Sequence, residues 1–126
     1  MMLRELIDKL QEAPCGDPML DFWVWWWGEE AGPRGHEPEE TFANERILSF
    51  AAPQFSSSID IAARLVPEGY EWHTEKKDGR AIAVVAPPSG NVTPQTITAN
   101  DAALALCAAA LRCRMSYACE VMRGRQ

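Results

Sequence analysis

Thiols, imidazoles, hydroxyls and carboxylates are the side chains here that could do chemistry, so their spacing comes first. Serines occur together as Ser56-Ser57-Ser58. A nucleophilic serine needs a base within reach and usually a sharp Gly-X-Ser-X-Gly turn. Neither accompanies this run, which suits helix capping instead. Carboxylates pair as Glu29-Glu30 and Glu39-Glu40, but in a Pro/Gly-rich stretch with nothing to fix their separation. General acid–base work needs a positioned group with a shifted pKa. His36 and His73 have no Cys, His or carboxylate at ligand spacing. Cys107, Cys113 and Cys119 recur in steps of six, about 240° around a helix, so they share no face. With Cys15 they form no CxxC or Cys/His pattern and read as reduced thiols in a core. Gly28, Gly32 and Gly35 follow no strand and open no helix, so they form no phosphate loop. The expectation is a non-enzymatic chain with no catalytic set, no metal site and no cofactor.

Aromatic side chains offer contact instead of reaction. Leu20-Asp21-Phe22-Trp23-Val24-Trp25-Trp26-Trp27 is a helical run. At 100° per residue its apolar arc spans roughly 260°, interrupted only at Asp21. A surface helix needs little more than 100°, and each Trp offers on the order of 150–250 Å² to bury. One small core is expected not to cover this helix. Three readings stand side by side. Residues 28–56 fold back over the rings; or Phe22, Trp23, Trp25, Trp26 and Trp27 form a self-association or partner surface; or they stack a base or nucleotide. The last needs cations, which Arg34, Arg46, Arg112 or Arg114 would supply.

The elements that position these residues follow from periodicity. Residues 2–13 carry Leu3, Leu6, Ile7 and Leu10, a helical stripe stopped by Pro14 and Gly16. Asp17-Pro18 starts the aromatic helix as N-cap and first helical residue, with Gly28 as its expected stop. Residues 29–40 are breaker-rich and acidic, a solvated loop. Residues 46–50 read as a short strand or an irregular packing segment. Ser57 or Ser58 caps a helix over 59–65. Tyr70, Trp72 and Thr74 alternate as one face of a strand, Asp78-Gly79 is a hairpin turn, and residues 80–86 return. Residues 91–98 give a third strand, kept at an edge or bulge by Pro94. Thr98 or Asn100 caps a last helix to about Met122, with Leu104, Cys107, Leu111, Met115, Ala118 and Met122 on its stripe. The fold class is α+β: a three-layer α-β-α sandwich with about three antiparallel strands between helices. Residues 1–126 form one domain, with an aromatic and acidic insert at about 23–50.

The net charge is −6, unevenly spread. Residues 1–60 hold 12 acids and 4 bases, a net of −8; residues 61–126 hold 6 acids and 8 bases, a net of +2. An acidic balance argues against duplex nucleic acid, which needs a basic footprint. The basic C-terminus suits the helix dipole. No apolar run reaches the eighteen or so residues of a membrane span, and the N-terminus lacks the pattern of a secretory signal. The expectation is a cytoplasmic chain acting in a host cell, a dimer or larger homo-oligomer built partly on the Trp helix.

Three segments resemble one family. LRELIDKLQEA, SSSIDIAARLVPEGYEW and ALALCAAALR are similar to small phage and prophage proteins of the phage α-β-α (ABA) sandwich family. The likeness covers roughly the first 20 residues and residues 55–113. It is most specific from Ser58-Ile59-Asp60 to Tyr70-Glu71-Trp72, with a second anchor from Ala103 to Arg112. The resemblance implies a small antiparallel sheet between helical layers and no reaction. The insert at 23–50 and the TITAND stretch depart from the family pattern. A phage accessory protein that binds a host protein, including for counter-defence, is the first functional expectation. A protein that sequesters a small nucleotide signal at a subunit interface is the alternative.

Overall fold

The computed structural model describes residues 2–30, 53–88 and 94–124. The expectations for residues 31–52, including Arg34, Arg46, His36 and the strand at 46–50, lie outside them. Helix α1 (Leu3–Glu12) buries Leu6, Ile7 and Leu10 and leaves Arg4, Glu5, Asp8 and Lys9 to solvent, the amphipathic split that its stripe dictates. The carbonyls at its C-terminal end are held by the sheet. The Arg80 guanidinium donates to Gln11 O at 3.1 Å, and Asn100 Nδ2 donates to Ala13 O at 2.6 Å.

Helix α2 (Pro18–Trp25) starts as its sequence dictates. Asp17 Oδ1 accepts the Leu20 N–H at 2.8 Å and Pro18 fills the first turn. The chain does not stop at Gly28 but widens into a π-helical turn, Trp26–Glu30. Gly28 is buried inside that turn, where a Cβ would collide with Leu65 Cδ2. The glycine serves close packing, not termination.

Helix α3 (Ile59–Ala62) is short and tightens into a 3₁₀ turn, Ala63–Leu65. Ser58, not Ser57, caps it by accepting the Ile61 N–H. Strands β1 (Glu71–Lys77), β2 (Arg80–Ala86) and β3 (Gln95–Ala99) form an antiparallel sheet in that order. The β1–β2 turn has positive φ at both Asp78 (55°) and Gly79 (79°), a two-residue hairpin of the favoured hand. The third strand begins at Gln95, just past Pro94.

Helix α4 (Ala102–Gly124) is capped by Asp101, whose Oδ1 accepts the Leu104 N–H at 2.8 Å. Neither Thr98 nor Asn100 does this. Thr98 lies within β3, and the Asn100 amide is turned to α1. Residues 103–111 of α4 are buried without a break, so α4 is no one-sided stripe. It packs against β2 and β3 on one side and against α1, α3 and the 3₁₀ turn on others. Its many Ala residues let all these neighbours approach closely.

The chain is therefore a small α/β sandwich, mixed α+β, with helices packed on a three-stranded antiparallel sheet. The packed face carries Ala81, Ala83 and Val85 of β2 with Ile97 and Ala99 of β3, all buried. The last helix, α4, packs on the sheet, and α1 lies beside β3. On the other, Glu71, His73, Glu75, Lys77 and Thr96 are exposed, and Ile82, Val84 and Ala86 are half-buried.

Candidate functional site

The aromatic helix divides between core and surface. Phe22 is fully buried, Trp23 is 3% exposed and Trp27 is 5% exposed. Phe22 and Trp23 meet edge to face, ring centroids 5.2 Å apart at 72°, a favourable quadrupole geometry. Trp25 and Trp26 are half-buried against the same core. The expectation that one core cannot cover this helix is corrected for Phe22, Trp23 and Trp27. The 260° arc overstates the demand on the core for two reasons. A constant step of 100° fails where the helix widens at Trp26–Glu30. Small side chains along α4 also leave volume that large rings can fill. Met19, Trp25 and Trp26 stand at i−3, i+3 and i+4 from Phe22 along the chain; Met19 is 42% exposed.

Asp21, the one polar residue in the arc, lies inside as well, only 4% exposed. Its Oδ1 accepts the Ser56 N–H at 2.8 Å and the Ser56 Oγ–H at 2.6 Å. Ser56 Oγ in turn accepts the Asp17 N–H at 3.0 Å, with Asp17 O at 3.2 Å. Gly16 makes this junction possible, because a Cβ there would strike Ser56 O. Burial pushes the Asp21 carboxyl up; the two Ser56 hydrogen bonds oppose the shift, and the nearby Asp17 charge adds to it. Cys107 lies beside this junction, donating from Sγ to Phe55 O at 3.1 Å. Burial first, then the charges of Asp21 and Asp101, raise its thiol well above the ordinary range. A protonated, enclosed thiol is a poor nucleophile. The Ser56–Asp21 pair is a structural latch that ties residues 53–58 to α2. Sequence reasoning missed it by assigning the whole serine run to capping. The available signal was Asp21 itself, because an acid inside an aromatic arc requires a buried donor.

Of the arginines considered for anion binding, Arg114 donates Nε–H to Leu65 O at 2.7 Å and closes the 3₁₀ turn, and Arg112 is half-buried. An open cleft of about 410 Å³ lies between α1 and the sheet, lined by Asp8, Gln11, Glu12, Arg80, Thr96, Ile97 and Thr98. Its one cation, Arg80, already serves Gln11 O. Among the described residues no three His, Cys, Asp or Glu side chains are grouped to hold a metal, and no helix is long and apolar enough to cross a membrane. Comparison with protein-family models, with curated proteins and with solved structures finds no match.

Proposed function

We propose that this chain is a non-enzymatic accessory protein of a phage or prophage that works by binding a host protein through the outer side of α2. The observation that carries this reading is the set Met19, Trp25 and Trp26, large apolar side chains left partly at the surface of one helical segment. Trp dominates binding hot spots when a partner completes its burial, and side chains fixed on a packed helix lose little freedom on docking. The phage origin rests on the three resembling segments, and a counter-defence role on that origin. The acidic N-terminal half favours a basic partner surface. Among the described residues the Cys15 and Cys107 thiols are free, which suits action in a reducing host cytoplasm.

Sequestering a nucleotide is the less supported alternative. It needs open ring faces and unspent cations, whereas Phe22, Trp23 and Trp27 are core and Arg114 is engaged with Leu65. The test is retrieval of the partner from host cells, followed by calorimetry with the purified partner. Met19→Glu and Trp25→Ala are each expected to weaken binding by tenfold or more, the loss of about 1.4 kcal/mol that marks a contributing contact. An unchanged affinity in both variants contradicts the reading.

A further inference from the structure

Among the described residues β1 is an edge strand of the sheet. Among the described residues the strand order ends at β1 on one side, while the other edge, β3, has α1 beside it. Strand β1 is seven residues long, with every side chain except Thr74 exposed, Trp72 at 38%. Lys77 and Arg80 flank the two-residue turn and are Cα partners, so they form the hydrogen-bonded pair that closes the hairpin. Backbone groups alternate sides along a strand. Those of Glu71, His73, Glu75 and Lys77 therefore face β2, and those of Trp72, Thr74 and Lys76 point outward. Among the described residues these outward groups have no ladder partner, and they form a half-ladder of the kind that templates pairing with another chain.

We infer that the β1 edge pairs antiparallel with the β1 edge of a second copy of this chain, about a two-fold axis at Thr74, to give a continuous six-stranded sheet. Charge complementarity selects this occupant and this register. Centred on Thr74, Glu71 faces Lys77 and His73 faces Glu75 across the axis, each pair occurring twice. These are non-hydrogen-bonded positions, where opposed side chains come closest. On the packed face Lys76 comes over the half-exposed Trp72 ring, a cation–π arrangement, and Thr74 meets its own copy. The hydrogen-bonded positions are Trp72 with Lys76, Thr74 with Thr74, and Lys76 with Trp72, which use the outward backbone groups completely. A slip of the axis by one residue either way fails. An axis at His73 opposes Glu71 to Glu75, and an axis at Glu75 opposes it to itself. Parallel pairing in register sets every charge against its like. The same Lys residues would also serve to keep strange strands away, so this edge refuses other chains while accepting its own.

Sedimentation velocity over a concentration series tests this. The wild-type chain is expected to approach twice 14.0 kDa, about 28 kDa. Thr74→Pro removes an outward N–H and leaves the β2 ladder intact, so it is expected to give a folded 14.0 kDa monomer by circular dichroism and mass. Glu71→Lys alone is expected to weaken dimerisation by tenfold or more, and Glu71→Lys/Lys77→Glu to restore it, because the swapped charges again oppose across the axis. The restored double variant also separates pairing from a loss of folding. A wild-type monomer at every concentration overturns the inference. So does a dimer indifferent to Thr74→Pro, or one that the charge swap does not restore.

Discussion

Replacing Asp21 by Ala should cost far more than deleting an ordinary helical acid. Asp21 Oδ1 is the acceptor for both the Ser56 N–H and the Ser56 Oγ–H, in a site only 4% exposed. Without it the hydroxyl can turn to Asp17 O at 3.2 Å, but the amide is left without an acceptor. An orphaned buried donor costs about 1–3 kcal/mol, and the small void adds to that, giving roughly 2–4 kcal/mol. For a domain of this size the loss lowers Tm by on the order of 10 °C. Asp21→Asn keeps an oxygen for Ser56 and removes the buried charge, so it should be the milder variant. It also isolates the titration. The folded carboxyl is raised above its ordinary value of 3.8, chiefly by burial. The folded state therefore holds its proton at higher pH than the unfolded chain does. The Asp21 contribution is fully present below about pH 4 and is lost as pH rises through the raised value. Thermal denaturation from pH 4 to 7 should show the wild type losing stability relative to Asp21→Asn. An Asp21→Ala variant melting within about 2 °C of wild type, or a wild-type–Asn difference that is flat with pH, refutes the latch.

Other outcomes follow from the same contacts. Gly16→Ala drives a methyl into Ser56 O, a backbone atom that cannot rotate away, so it should cost about 3 kcal/mol, the upper end for overpacking. Gly28→Ala meets only the tip of the Leu65 side chain and should cost less, about 1–2 kcal/mol; the reverse order in urea titrations contradicts the packing. Alkylation at pH 8 read by peptide mass spectrometry should modify exposed Cys15 at once and buried Cys107 only after unfolding. Rapid native labelling of Cys107 would show that the thiol is neither enclosed nor held protonated.

Local signals carried over into structure with little loss. The stripe of α1, the Asp17-Pro18 start of α2 and the Asp78-Gly79 turn each depend on residues within a few positions of one another. What did not carry over is decided at a distance. The number of faces α4 buries depends on how many elements close around it, and its run of Ala permits several. The aromatic arc of α2 says how much apolar surface must be covered but not what covers it; in the fold Phe22, Trp23 and Trp27 enter the core that α4 and α1 share. Ser56 and Asp21 are 35 positions apart, and neither residue type alone signals the other. Asp101 won the cap of α4 over its neighbours because Thr98 pairs in β3 and Asn100 turns to Ala13. In the candidate site, Trp25 and Trp26 were legible from type alone. The separation of a surface set from a core set was not, because it turns on the π-helical turn at Trp26–Glu30.

Binding through α2 rests on Met19 and Trp25 making the contact. The decisive measurement is the affinity for the purified host partner of wild type, Met19→Glu and Trp25→Ala, with Tm recorded for each. A Kd weakened by tenfold or more in both variants, each still folded at the assay temperature, is the predicted result. A Kd equal to wild type in both, with the fold intact, contradicts it.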